Sequence, residues 1–238
     1  MAISMEALDP LYTTHVRCAC CETPFTTSRM RSSFKKSIHM DSDFCSYYKD
    51  DNNPDYYVVR VCPYCGFAST ENSTSALTEG QKMSYLAKLG ANWSPRDYSG
   101  KRTRQQAMEC YKLALLCAQA IGDKERIISG LLQHIAWLYR YTGEKELEQR
   151  FLRFALDSYI SVYENETGSL NNAKLMYLIG ELHRRLDNPA EAVKWFSRVI
   201  HNKSITDGAM IQRSRQQWQL LRSQFDESEL PETMQQHA

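Results

Sequence analysis

From residue 81 onward, apolar positions recur every three to four residues, a spacing that predicts a run of amphipathic helices. QKMSYLAKL is a short first candidate, interrupted by GANWSPRDYSG. Longer ones follow: RTRQQAMECYKLALLCAQAIG, ERIISGLLQHIAWLYRYTG, EKELEQRFLRFALDSYISVYENE, LNNAKLMYLIGELHRRLD, PAEAVKWFSRVIHNK and DGAMIQRSRQQWQLLRSQF. Gly122 and Gly143 suit left-handed helix stops, and Asn188-Pro189 with Glu191 suits a helix start. Nothing after residue 81 reads as a strand.

Before residue 76 the pattern changes to Thr, Ser, Tyr and Asp with little helical periodicity. Tyr56-Tyr57-Val58-Val59-Arg60-Val61 predicts a strand, because aromatic and β-branched side chains suit a pleated surface. FTTSRMRSSFKKS, residues 25–37, is a weaker strand candidate, and Asp50-Asp51-Asn52-Asn53-Pro54 is a polar turn cluster. STENSTSALTEG separates the two patterns and places a border near residue 76. The expected fold class is mainly α: a small β-containing, zinc-ribbon-like module over 1–75, then a tetratricopeptide-like helical repeat array over 76–225. Residues 226–238 read as a flexible tail.

LMYLIGELHRRLDNPAEAVKWFSRVI resembles a tetratricopeptide repeat. Gly180 is the small residue of its first helix, and Ala192, Phe196 and Val199 supply the small, aromatic and small apolar positions of the second. His183 and Ser204 depart from the pattern. A copy 44 residues upstream sets Ala136 opposite Gly180, Leu152 opposite Phe196 and Ala155 opposite Val199, with Glu148 poor at the small position. Ala107, Tyr111 and Ala114 form a third, partial copy. An ordinary bundle of α-hairpins has similar spacing.

Helical repeats of this kind stack into an array whose inner face binds partners. The inner positions here are Gln133, Trp137, Arg140 and Tyr141, then Lys174, Tyr177, Glu181, Arg184 and Arg185. Such a groove is basic and aromatic, and suits an acidic or aromatic segment of another protein or peptide through charge-assisted and cation-π contacts. Trp137, Arg140, Tyr141, Lys174, Tyr177 and Arg184 are the expected partner-binding residues. For Arg184 and Arg185, a solvated charged face is the plain alternative.

Cysteine placement adds chemistry. Of eight cysteines, Cys18, Cys20, Cys21, Cys45, Cys62 and Cys65 fall in the first 65 residues. Cys62-Pro63-Tyr64-Cys65 resembles the active-site tetrad of glutaredoxins, but it is followed by GFASTENSTS, a poor helix, and no later proline leads into a strand. Cys18-x-x-Cys21 supplies a second pair, 40 residues earlier. Two such pairs fit tetrahedral zinc, because each short turn aims both sulfurs inward while its N–H groups donate to them. Gly66 suits a knuckle that needs a left-handed residue. The expected ligands are Cys18, Cys21, Cys62 and Cys65, and a set of four thiolates leaves no position open for substrate. Cys20 competes with its neighbours for a place, and His15, His39 and Cys45 are reserves.

Composition narrows the function classes. Net charge is +1 over 238 residues, so no global field gathers phosphate backbones or anionic lipid. Arg29, Arg31, Lys35 and Lys36 form a basic cluster, offset by nearby aspartates. Asp41 and Asp43 read as turn or capping residues rather than a catalytic pair. No Gly-rich phosphate loop, H-E-x-x-H or G-x-S-x-G is present. His134 and His183 lie on apolar helix faces, and Cys110 and Cys117 share a stripe as buried thiols. MAISMEALDPLYTTH has neither a basic leader nor an apolar core, which suggests a cytoplasmic protein.

The head as a whole, with RMRSS, DSDFCSYY and PDYYVVRVCPYCGFA ahead of helical repeats, resembles a bacterial family of uncharacterised proteins, domain of unknown function 2225. By position, the resemblance implies Cys18, Cys21, Cys62 and Cys65 as ligands, and it carries no activity. The expectation is a zinc-stabilised scaffold or adaptor without catalysis. A zinc-ribbon nucleic-acid binder and a thiol-redox switch at Cys62 and Cys65 are the alternatives.

Overall fold

A computed structural model describes residues 8–49, 52–166 and 172–224. A small N-terminal β module precedes a mainly α-helical array of packed helices. The module holds three separate two-stranded antiparallel sheets: β1 (Leu11–Arg17) with β2 (Pro24–Met30), β3 (Ser37–Met40) with β4 (Ser46–Tyr48), and β5 (Arg60–Val61) with β6 (Ala68–Ser69). The helices are α1 (Glu79–Lys88), α2 (Arg104–Ile121), α3 (Glu125–Thr142), α4 (Lys145–Asn165), α5 (Ala173–Arg185), α6 (Pro189–His201) and α7 (Gly208–Gln224). The tail expected over 226–238 lies outside the described residues.

Local chemistry sets the helix ends. Thr78 with Gln81, and Thr103 with Gln106, form reciprocal capping boxes that satisfy the first free N–H groups of α1 and α2. Gly122 and Gly143 stop α2 and α3 in the left-handed region, with φ of 62° and 74°. Asn188 holds the cap position of α6 with Pro189 behind it, but its side chain makes no capping bond.

The strand expected over Tyr56–Val61 is mostly absent. Pro54–Tyr57 is instead a turn of 3-10 helix, and only Arg60–Val61 is extended. Asn53 accepts a hydrogen bond from the Asp55 N–H at 2.8 Å and Pro54 fixes the next φ, so an Asn-Pro start outweighs the strand preference of the tyrosines. Arg102, only 4% exposed, then pins the turn by donating to the carbonyls of Tyr56 and Val59 at 2.9 and 2.7 Å.

Contacts divide the chain into two compact units, Met1–Met40 with Ser46–Leu138, and Asp41–Cys45 with Tyr139–Ala238. The border falls inside α3, while the change of composition near residue 76 marks where helices begin. In the first unit α1 packs on α2, where Ser84 donates to the Ala120 carbonyl at 2.6 Å and Gln81 to the Ile121 carbonyl at 3.0 Å. The Ala68 N–H donates to the Cys117 sulfur at 3.4 Å, joining β6 to α2. His134 stacks on Tyr111 with ring centres 5.2 Å apart.

In the second unit α4 packs on α5, α5 on α6, and α7 on both α5 and α6, the neighbour pattern of a helical-repeat-like stack. A Cβ at Gly180 would sit 2.8 Å from the Phe196 ring, so the small position and the aromatic knob meet as the repeat pattern requires. Leu152 and Ala155 are likewise buried. Glu148, the poor fit at the small position, bonds Arg140 at 2.6 Å. No helix among the described residues is long and apolar enough to cross a membrane.

Candidate metal centre and the inner face of the helices

Two hairpin tips build the cysteine site. Cys18–Thr23 closes β1 to β2, and Cys62–Phe67 closes β5 to β6. Both turns follow one hydrogen-bond plan. The Cys18 N–H donates to the Thr23 carbonyl at 3.1 Å and the Glu22 N–H to the Cys18 carbonyl at 3.0 Å. In the other turn, the Cys62 N–H donates to the Phe67 carbonyl at 3.0 Å and the Gly66 N–H to the Cys62 carbonyl at 2.9 Å. Glu22 and Gly66 stand at matching positions, both left-handed, with φ of 60° and 77°.

This plan turns backbone donors toward sulfur. Cys20 and Cys21 N–H groups face the Cys18 sulfur, those of Tyr64 and Cys65 face Cys62, and that of Phe67 faces Cys65. All four sulfurs of Cys18, Cys21, Cys62 and Cys65 lie within 4.8 Å of one another. The Cys18–Cys65 and Cys21–Cys62 separations are 3.6 and 3.7 Å. Zinc–thiolate bonds of about 2.3 Å in tetrahedral geometry set sulfurs about 3.8 Å apart, so the set fits zinc. A bonded disulfide would need about 2.05 Å, well below either separation.

A hydrogen bond from Cys65 draws the Cys18 thiol down to about 5, and the same bond pushes Cys65 upward. Neighbouring side chains brace the second turn: Tyr85 donates to the Cys65 carbonyl at 2.6 Å and Trp93 to the Pro63 carbonyl at 3.0 Å. Lys82 reaches Glu22 of the first turn at 3.2 Å. Cys20 is buried beside the set but outside it, its N–H 3.4 Å from the Cys18 sulfur. His15 and His39 are exposed, and Cys45 belongs to the second unit.

The second unit holds most of the inner-face residues. Arg140 donates to Asp41 at 2.7 Å and to both oxygens of Asp43 at 2.9 and 2.7 Å. Tyr177 donates to the Ser42 carbonyl at 2.9 Å, and Arg184 to the Ser42 hydroxyl at 3.3 Å. The Cys45 thiol donates to the Tyr141 hydroxyl at 3.6 Å. Lys174 lies 5.1 Å from the centre of the Phe44 ring. Arg140, Tyr141, Lys174, Tyr177 and Arg184 thus all touch one short segment, Asp41–Cys45. Trp137 belongs to the first unit, where it is buried against His134 with ring centres 4.6 Å apart.

Asp43 and Glu181 are both fully buried, so their charges need partners. Arg185 reaches Asp41, Asp43 and Glu181 at 3.4, 3.3 and 3.1 Å. Burial works against the Arg140 charge, but the Asp43 hydrogen bond and carboxylate outweigh it and hold the guanidinium above its ordinary value. Burial pushes the Cys45 thiol up to about 12, which keeps it protonated. The two aspartates are therefore more than turn residues, although the Phe44 N–H does close a turn onto the Asp41 carbonyl at 3.0 Å.

Sequence reasoning described the basic, aromatic face and the acidic, aromatic stretch separately, and missed that one holds the other. Their complementary charge was the available signal. Residues 11–221 match the bacterial family described as uncharacterized protein conserved in bacteria (DUF2225), and the chain belongs to that family. No curated protein and no solved structure matches it.

Proposed function

We propose that this member of the DUF2225 family is a zinc-stabilised protein-interaction protein, a scaffold or adaptor without catalytic activity. The observation that carries this reading is the four-sulfur set: compatible in its spacings with metal coordination and supplied entirely by the chain, it would leave a tetrahedral zinc no position for water or substrate. Zinc there contributes folding energy, on the order of 10 kcal/mol for structural sites. Function then rests with surfaces, and a helical array offers its inner face to another protein or peptide.

The alternatives have less support. Of the basic cluster, Arg29 pairs with Glu71, and Arg31 bonds the Asp9 carbonyl and lies over the Tyr12 ring, so neither side chain stands ready for phosphate. A redox pair at Cys62 and Cys65 would sit in a turn whose two sulfurs lie 3.6 and 3.7 Å from sulfurs of the opposite turn.

Affinity capture from a bacterial extract tests the adaptor reading, with wild-type and Lys174→Glu chains as baits. Lys174 is exposed, whereas Tyr177 is fully buried and its loss would damage packing. The expected result is a protein recovered by the wild-type chain and lost with Lys174→Glu. Identical recoveries from both baits would contradict the inner face as the docking surface. Recovery of nuclease-sensitive, salt-sensitive material would promote the nucleic-acid reading instead.

A further inference from the structure

The inner face of the second unit holds a peptide segment already, and the way it is held specifies a ligand. Asp41 and Asp43 set two carboxylates on Arg140 and Arg185. Between them the Ser42 hydroxyl donates to Glu181, which is fully buried, and the Ser42 carbonyl accepts from Tyr177. Phe44 follows, its ring 5.1 Å from the Lys174 ammonium and 5.2 Å from the Arg213 guanidinium, edge-on to Tyr177. The recognised pattern is carboxylate, small hydroxyl, carboxylate, aromatic ring.

Two features describe how the segment is held, beginning with its own turn, closed by the Asp41 N–H on the Cys45 carbonyl at 2.8 Å and the Phe44 N–H on the Asp41 carbonyl at 3.0 Å. Phe44 has φ of 70°, in the left-handed region that a bulky side chain adopts only under constraint. The segment's contacts with the helices are mainly polar and ionic, of a kind that a segment of like chemistry reproduces with no change in the helices.

We propose that Asp41–Cys45 is an internal pseudo-ligand, and that the partner of the inner face is a protein segment carrying an Asp-x-Asp-aromatic sequence, which displaces it. This deepens, and rests on, the interaction reading above. The resident segment is tethered at both ends, so its effective concentration, on the order of millimolar for a short tether, suppresses weak competitors and admits a partner free of the left-handed phenylalanine. The two-state element is the segment, docked or released, and the ligand's preference for the vacated face drives the shift.

The test uses the full zinc-loaded chain and a fluorescein-labelled peptide of residues 39–48, HMDSDFCSYY, with Cys45→Ser to prevent disulfides. Two receptors have a weakened resident segment: Asp41→Asn with Asp43→Asn, and Phe44→Ala, which removes the ring and keeps the left-handed cost. Fluorescence anisotropy should show both binding the peptide at least tenfold more tightly than the wild-type chain. Arg140→Ala added to Phe44→Ala should cost at least tenfold, as should replacing both peptide aspartates by asparagine.

Equal binding by wild-type and both variants, or no binding by variants whose helix content and unfolding midpoint match the wild type, overturns the proposal and leaves the segment a fixed strut. If Asp41→Asn/Asp43→Asn chains and Arg140→Ala chains dimerise only when mixed, the occupant is a second copy, and the partner assignment fails. Peptide binding with no captured protein would sink the adaptor reading alone. Capture without peptide binding would sink the pseudo-ligand alone.

Discussion

Glu22 and Gly66 occupy the same place in two turns of the same design, and their difference is instructive. An L-residue in the left-handed region costs about 1–2 kcal/mol, which Gly66 avoids and Glu22 bears. Gly66 is constrained a second time, because a Cβ there would lie 2.3 Å from the Trp93 ring. Gly66→Ala should therefore lower folding stability by about 2–5 kcal/mol, combining backbone strain with overpacking against the ring. Glu22→Gly should leave the denaturation midpoint unchanged or raise it, since released strain offsets the loss of surface pairs with Arg17 and Lys82. Urea titrations of the two variants check both signs. A drop for Glu22→Gly as large as for Gly66→Ala would mean that turn geometry is not what distinguishes them.

At the scale of the elements, glycines in two helices make a paired test of the packing. Gly180 on α5 lies under the Phe196 ring of α6, whereas a Cβ at Gly130 on α3 would meet nothing within 4 Å. Gly180→Ala should destabilise by about 1–2 kcal/mol, overpacking outweighing the gain in helix propensity, and Gly130→Ala should stabilise by up to about 1 kcal/mol. Thermal melts of both should move in opposite directions. Equal shifts would mean that α5 and α6 do not cross closely. Helices were legible in the sequence because a 3.6-residue period persists over many turns, and the Gly180–Phe196 contact because the repeat pattern states it. The turn at Pro54–Tyr57 was not, because residue preference for strands was read over Asn53-Pro54, and because Arg102, which pins the turn, is remote in sequence. Four cysteines were legible as a set because their spacing encodes two turns. The filling of the inner face was not: Arg140 and Asp41 are 99 residues apart, Arg184 and Ser42 are 142 apart, and periodicity carries no information over such distances.

For the whole molecule, zinc is proposed to be held by Cys18, Cys21, Cys62 and Cys65, which leaves recognition to the helices. Burial pushes Cys110 to about 11 and Cys45 and Cys117 to about 12, so these thiols should stay unlabelled as long as the unit that buries each of them is folded. Cys21 is exposed and Cys65 half-buried, so their reactivity reports directly on coordination. Because ligand thiols must release protons to bind metal, zinc should also be lost as pH falls. The most direct measurement is elemental analysis of the purified chain combined with mass-spectrometric mapping of alkylated cysteines, before and after a strong chelator. We predict one zinc per chain with Cys21 and Cys65 protected, both becoming labelled on chelation as the first unit unfolds, and Cys62→Ser abolishing the metal. A folded chain without metal, with Cys21 freely labelled or with Cys62 and Cys65 joined as a disulfide, would contradict it.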